Sequence, residues 1–184
     1  MLFRSGLVET SLGIKGGKIA ALGDLSSAKA VEIFDARGLH ILPGVIDTHV
    51  HFREPGHLEK EDMETGSKAA LLGGVTSVFE MPNTNPPAVS HEAIADKLKR
   101  ANARMQCDYA FYAGASVENI AQLGALETLP GVAGIKAFLG SSTGSLLLDK
   151  DADILAAMKS GRRRFAVHCE DEERLRARAR LAMP

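Results

Sequence analysis

The sequence predicts an α/β fold built on a parallel sheet, and three observations support this class. After residue 44, short apolar runs of strand length alternate with helix-length segments five times. Glycine or proline stands at many of the junctions, as is typical of the loops in such folds. The chain has 184 residues, 45% of them hydrophobic, which suffices for one ordinary core. Regular alternation of strands and helices places helical crossovers between parallel strands.

The N-terminal part of the chain predicts a separate β-rich region. Strands at residues 12–15 and 18–22 flank a pair of glycines, which supply the positive φ angles that a tight hairpin turn needs. Residues 31–35 alternate between apolar and polar side chains like a further strand. We therefore expect two domains, a β-rich part at residues 1–44 and an α/β part at residues 45–184.

The α/β part predicts five strand–helix units. Ser90 is an expected helix N-cap, a pair of glycines after Leu72 is an expected helix stop, and the last helix has acids first and arginines later. The first strand is expected around Val45 and Ile46. The later strands are expected at residues 75–81, 109–113, 132–139 and 165–168, and the helices at residues 62–72, 90–104, 117–129, 151–160 and 170–181.

Two sheet arrangements are compatible with this alternation. A closed (β/α)8 barrel needs eight units and typically about 250 residues, so five units would form an unclosed barrel. The alternative is an open doubly wound sheet. The first strand is not followed by a GxGxxG motif, which disfavours the dinucleotide-binding version of that sheet.

Composition and charge exclude several classes of partner. Lys plus Arg is 22 and Asp plus Glu is 23, so the net charge of −1 creates no bulk attraction to nucleic acid or anionic membrane. Cys107 and Cys169 form no CxxC pattern, which favours free thiols in a reducing compartment. No run approaches the roughly 18 apolar residues of a membrane span. We expect a cytoplasmic protein without a nucleic-acid or membrane partner.

The strongest local signal is a pair of histidines, His49 and His51, that follows the first apolar strand. Side chains alternate between the faces of a strand, so both imidazoles and the carboxylate of Asp47 point the same way. Barrel enzymes place their sites at this end of the strands, and two such imidazoles can share one metal ion. Asp47 can orient one of the rings. The alternative is a histidine pair that only caps the strand.

Three further residues occupy later strand ends. His168 ends an apolar strand, where a lone histidine is more often structural than a ligand. Lys136 lies inside an apolar strand, where burial disfavours the charged amine and lowers its pKa. A neutral amine reacts with carbon dioxide to give a carbamate that can bridge two metal ions, whereas a snorkelling lysine would stay charged. Asn83 is either a turn residue or a substrate contact.

Four spaced motifs together resemble dihydroorotase of the amidohydrolase superfamily over nearly the whole chain. They are residues 49–56, 81–84, 134–144 and 168–171. The resemblance implies a partial TIM (β/α)8 barrel of about five βα units, with residues 1–44 as the N-terminal portion of a small β-sandwich.

The resemblance also implies a site with two divalent metal ions, usually zinc. In it, His49 and His51 bind the first ion, Lys136 bridges as a carbamate, and His168 binds the second. Arg53 and Asn83 hold the carboxylate of the substrate, a task that suits the guanidinium fork of arginine. The catalytic aspartate of the family is expected beyond Pro184, so the 184-residue chain by itself is predicted to have little activity.

The implied reaction is the reversible hydrolysis of dihydroorotate to N-carbamoyl-aspartate in pyrimidine biosynthesis. Two alternatives stay open. One is a cyclic amidase of the allantoinase or hydantoinase type, which typically lacks an arginine at the position of Arg53. The other is a non-catalytic dihydroorotase-like partner of aspartate transcarbamoylase. A homo-oligomer is an equally open expectation.

Overall fold

A computed structural model describes residues 2–3, 6–140, 146–179 and 181 of the chain. The part of the predicted motif that covers residues 141–144 lies outside the described residues. The chain divides into two compact units, Met1–Pro43 and Gly44–Pro184.

The first unit contains two antiparallel strand pairs, β1 with β2 and β3 with β4. Their bounds are Leu2–Phe3 (β1), Gly6–Leu7 (β2), Ser11–Lys15 (β3) and Lys18–Gly23 (β4). The turn between β3 and β4 consists of Gly16 and Gly17, whose φ angles are 58° and 72°. The predicted hairpin with a left-handed glycine turn is confirmed.

The strand predicted at residues 31–35 is wrong, because this segment is not part of any sheet. Val31, Ile33 and Phe34 are exposed to 109%, 83% and 77%. Alternation of apolar and polar side chains predicts which face a strand would bury, but it does not supply a neighbouring strand. In the described part of the chain no strand pairs with this segment, so it does not form a strand.

The second unit is a curled parallel sheet of five strands in the order β5-β6-β7-β8-β9. The strands are Val45–Val50 (β5), Val75–Glu80 (β6), Asp108–Gly114 (β7), Val132–Phe138 (β8) and Arg164–His168 (β9). Each strand pairs with its successor in the chain. A doubly wound sheet reverses its strand order at a switch point, whereas a barrel does not. The predicted α/β half-barrel is confirmed, and the doubly wound alternative is wrong.

Five helices accompany the strands: Met63–Leu72 (α1), His91–Ala101 (α2), Leu123–Leu126 (α3), Asp151–Ser160 (α4) and Glu172–Ala179 (α5). The side chain of Asp62 caps α1 by accepting a 2.8 Å hydrogen bond from the backbone N–H of Thr65. Ser90 caps α2, as predicted, by accepting one from Ala93 at 3.2 Å. Such caps satisfy backbone donors that have no partner within the helix.

Three helices are shorter than predicted, for local reasons. Helix α2 ends before Arg104 because Ala103 adopts a φ angle of 60°. Helix α5 begins after Asp171, whose carboxylate accepts a hydrogen bond from the backbone of Arg174 at 2.9 Å. The helix predicted at residues 117–129 is a 3-10 turn, Ile120–Gln122, followed by α3. Its first residues are lost because Asn119 holds the loop by accepting from Ser116 N–H and donating to Gly114 O.

The apolar core lies between the sheet and the helices. One cluster is built from β7, β8 and the helices beside them, and it includes Ile94, Ala113, Leu123, Ile135 and Ala137. The other surrounds α1 and consists of Phe52, Met63, Val78, Ala101 and Phe111. The opposite face of the sheet is therefore left free to carry polar side chains.

In the described ranges, no helix has the length and apolar character needed to cross a membrane.

Candidate metal centre

All four predicted metal ligands lie on the sheet face opposite the helices. Val50 and Phe52 pack in the core beside α1, so alternation turns His49 and His51 to the other side. Ile135 and Ala137 belong to the other core cluster, which turns Lys136 away from the helices. Phe165 packs against that cluster as well, and the same alternation places His168 on the face of Lys136.

The imidazoles of His49 and His51 are neighbours at the C-terminal end of β5. Their ring centroids are 5.3 Å apart and the rings are tilted by 50°. Asp47 does not hold a ring, contrary to the prediction. Its carboxylate instead accepts a 3.0 Å hydrogen bond from the backbone N–H of His49. Asp47 therefore holds the backbone of the strand end and, with it, the position from which the side chain of His49 extends.

Both imidazoles are biased toward the neutral form, which is the form that binds metals. Burial lowers the pKa of His51 to about 4, and the positive charge of Arg53 acts in the same direction. The side-chain amide of Asn83 approaches His51 and favours protonation, but burial outweighs it. Burial also lowers the pKa of His49, with smaller contributions from the charges of Lys136 and His168.

Lys136 is fully buried, and its Nζ atom forms no hydrogen bond with a described residue. The Nζ atom lies 4.8 Å from the centroid of the Phe138 ring. Burial lowers the pKa of this amine, although the charge of Glu170 partly opposes the effect. The alternative of a lysine that extends to solvent is wrong, because the side chain is 0% exposed. The lowered pKa favours the neutral form of the amine, which is the form that can react with carbon dioxide.

His168 lies beside Phe138, whose ring also contacts Lys136. The rings of Phe138 and His168 are paired in the register of β8 and β9, with centroids 5.9 Å apart. The Nε2 atom of His168 is 2.7 Å from Glu170, a residue that sequence analysis did not single out. The side chain of His168 is 45% exposed and thus open to a ligand.

Arg53 and Asn83 lie on two loops that are joined by their backbones. Asn85 donates a 3.0 Å hydrogen bond to the carbonyl of Pro55, which ties the loop after β6 to the loop after β5. The guanidinium of Arg53 forms no hydrogen bond or ion pair with a described residue. The Oδ1 atom of Asn83 is buried and accepts no well-formed hydrogen bond within the described chain. The guanidinium of Arg53 is therefore unpaired within the described chain, whereas the amide of Asn83 already lies beside His51.

The donor set fits a divalent metal centre, although the ligands are not gathered around one point. Within the described ranges, no three His, Cys, Asp or Glu side chains form a group that could hold an ion. The structure brings His49 next to His51, and it places His168 on the adjoining strand to Lys136. Two imidazoles with lowered pKa values and a buried amine without a hydrogen-bond partner are groups that suit a carbamate-bridged centre.

Two ion pairs with a buried glutamate lie on the helix side of the sheet and were not predicted. Glu54 is 3% exposed and is held by Arg104 through contacts of 2.6 and 3.2 Å. Glu80 and Lys97 are each 1% exposed and form an ion pair between β6 and α2. Burial raises the pKa of Glu80 to about 7, against the opposing charge of Lys97. The available signal was a glutamate on the same face of β6 as the buried Val78, matched by a lysine on the apolar face of the next helix.

The half-barrel and its histidine-bearing strand ends are those of an α/β-barrel protein, with the candidate site at the C-terminal edge of the sheet. Residues 40–180 match the Amidohydrolase family, which is more than half of the chain. The chain therefore belongs to the amidohydrolase family, in agreement with the superfamily that the motifs predicted.

Among its relatives, an allantoinase from Deinococcus radiodurans is 36% identical over 88% of this chain and 37% of its own length. A dihydroorotase from Methanosarcina acetivorans is 35% identical over 93% of this chain and 37% of its own length. The crystal structure of an L-hydantoinase (dihydropyrimidinase) from Arthrobacter aurescens superposes with a TM-score of 0.82 at 29% identity, covering 96% of this chain and 40% of that one. The chain thus spans about two fifths of the length of these relatives.

Proposed function

We propose that the protein containing this chain is a metal-dependent cyclic amidase of the allantoinase or hydantoinase type. The observation that carries the proposal is the pairing of two imidazoles with depressed pKa values and a fully buried lysine without a partner, on one face of the half-barrel. Relatives named allantoinase and hydantoinase support this type better than they support dihydroorotase, which was the first prediction.

The residues of the chain have distinct tasks in such a centre. His49 and His51 hold one divalent ion, usually zinc, and His168 holds the second. The Nζ atom of Lys136 attacks carbon dioxide, an N–C bond forms, and a proton leaves for solvent, so that an anionic carbamate with two oxygens results. Bound divalent ions supply water of lowered pKa and polarise the ring carbonyl.

A second candidate is dihydroorotase, and one observation favours it. Arg53 is a guanidinium without a hydrogen-bond or ion-pair partner among the described residues, and its charge acts on His51, as does the amide of Asn83. A guanidinium fork binds a carboxylate in a bidentate manner, and dihydroorotate carries a ring carboxylate that hydantoin lacks. The predicted role as a partner of aspartate transcarbamoylase and the predicted homo-oligomer stay predictions.

Hydrolysis of three rings tests the proposal. The full-length protein that carries this sequence, loaded with Zn²⁺ in bicarbonate, is offered hydantoin, allantoin and dihydroorotate. We expect ring opening of hydantoin or allantoin to be fastest and to disappear in His49→Ala. A preference for dihydroorotate that is lost in Arg53→Met would establish the second candidate instead. Absence of zinc-dependent hydrolysis of all three rings would refute a cyclic amidase.

A further inference from the structure

The strands β5 and β6 separate at the edge where the metal centre is proposed. Their last paired residues are Val50 and Glu80, and the backbone N–H of Met81 still donates to the carbonyl of Val50 at 2.9 Å. Past this point the sheet ladder between the two strands stops. The N–H of Phe52 and the carbonyl of Met81 would be left without partners in a buried region, which is costly.

The buried ion pair of Glu80 and Lys97 lies against these two backbone groups. The backbone N–H of Phe52 faces the carboxylate of Glu80 and lowers its pKa, although neither carboxylate oxygen accepts a well-formed hydrogen bond within the described chain. The Nζ atom of Lys97 donates to the carbonyl of Met81 at 3.3 Å. Because Glu80 and Lys97 are also paired with each other, the ion pair contacts both strand ends where the sheet ladder has stopped.

Both backbone groups held in this way border the candidate ligands. Phe52 stands between His51 and Arg53 in the chain, and Met81 is two residues before Asn83. The pair therefore fixes the two strand ends from the helix side, while the imidazole, the guanidinium and the amide point to the other side. A shift of Glu80 would move both ends at once.

A role in stability alone does not account for the pair. Its surroundings are apolar, and the Lys97 ammonium lies 5.1 Å from the centroid of the Phe111 ring. Replacing a buried ion pair by well-packed apolar residues is often neutral or stabilising, so burial of charge here requires another reason. Among the described residues, the other carboxylate that acts on Lys97 is that of Glu54, which is itself paired with Arg104.

We propose that Glu80 and Lys97 are positioning residues that set the spacing of the strand ends carrying His51, Arg53 and Asn83, and thereby the metal affinity of the site. This inference rests on the proposed function, because it takes His51 to be a metal ligand. Hydrogen-bonded supports behind metal ligands typically change metal affinity about 10- to 100-fold when they are mutated.

The test is a titration of the metal-free protein with Co²⁺, followed by its visible absorption spectrum. The first variant is Glu80→Gln combined with Lys97→Met, which removes both charges and leaves none unpaired. The second is Glu80→Asp, which keeps the charge but retracts the carboxylate. The matched control is Glu127→Gln. Glu127 is a buried glutamate that accepts hydrogen bonds from the backbone N–H groups of Arg162 and Arg163, before β9 and away from the site.

We expect Co²⁺ to bind about 10-fold more weakly or worse to both Glu80 variants, with a changed spectrum, and normally to Glu127→Gln. Circular dichroism identifies the variants that are folded. If the double variant does not fold, the Co²⁺ affinity of Glu80→Asp decides the test. Unchanged Co²⁺ affinity in a folded Glu80 variant, while His49→Ala abolishes binding, would overturn the positioning role and leave the proposed function intact. If the unmodified protein binds Co²⁺ no better than His49→Ala does, both the positioning role and the proposed function are wrong.

Discussion

His51 shows how a single residue is prepared for metal binding. A histidine in water has a pKa near 6.5, whereas burial and the charge of Arg53 lower that of His51 to about 4. The folded protein therefore keeps this imidazole neutral at pH values where the unfolded chain already takes up a proton. The ring is available to a cation without first losing a proton at neutral or mildly acidic pH.

This shift predicts a pH dependence of stability in the metal-free protein. Between pH 6.5 and about 4 the unfolded chain binds more protons at His51 than the folded chain does, so the free energy of unfolding falls as the pH is lowered. Above pH 6.5 this contribution is constant. Urea unfolding at pH 4.5 and pH 7 should show a smaller difference in His51→Gln than in the unmodified protein. An equal difference in both proteins would show that His51 has an ordinary pKa.

Lys136 is a second residue whose environment favours reactivity over stability. Its amine is buried without a partner, so Lys136→Met should leave the free energy of unfolding unchanged or higher while abolishing bicarbonate-dependent metal binding. Lys159→Met, at the exposed end of α4, should change neither quantity. Urea unfolding and a zinc titration with and without bicarbonate give the two readouts. A loss of stability in Lys136→Met with metal binding retained would contradict a ligand role.

Individual elements could be predicted where local chemistry decides them. Asp151–Ser160 has the predicted bounds, and α1 ends at Leu72 as expected, because charges at the first turn and a following glycine act locally. The strand predicted at residues 31–35 was wrong, since a strand needs a neighbour. The helix predicted at residues 117–129 was too long, since Asn119 donates hydrogen bonds to the carbonyls of Val89 and Gly114 and holds the preceding loop. Sequence patterns do not contain that information.

The spacing of β8 and β9 controls whether Lys136 and His168 can serve one centre. A Cβ atom at Gly134 would lie 2.2 Å from the backbone oxygen of Arg164 on the next strand, whereas one at Gly73 would meet nothing closer than 3.4 Å. Gly134→Ala should therefore force the strands apart and lower the free energy of unfolding by about 1–3 kcal/mol.

The matched variant Gly73→Ala should remain close to the unmodified protein in urea unfolding. Gly134→Ala should in addition bind zinc more weakly, because β8 carries Lys136 two residues later. If Gly134→Ala unfolds at the same urea concentration as Gly73→Ala, the two strands are not in close contact at this point.

At the scale of the whole molecule, the sheet arrangement and the site follow from one rule. Consecutive parallel strands bring their carboxyl ends to a common edge. His49 and His51 at the end of β5 and His168 at the end of β9 therefore predicted a shared site. The ion pairs beneath that edge were not predictable, because they depend on how two strands separate. The choice of ring substrate was not predictable either, since the free guanidinium of Arg53 and the names of the relatives favour different substrates.

Anomalous X-ray scattering from crystals of the zinc-loaded protein, recorded at the zinc absorption edge, tests the metal centre most directly. The proposed metal centre predicts a peak about 2.0–2.1 Å from ring nitrogens of His49 and His51, with carbamate density on Lys136 facing it. A second peak is expected at His168. If zinc binds only elsewhere in the molecule and the imidazoles of His49 and His51 bind no metal, the proposed metal centre is wrong.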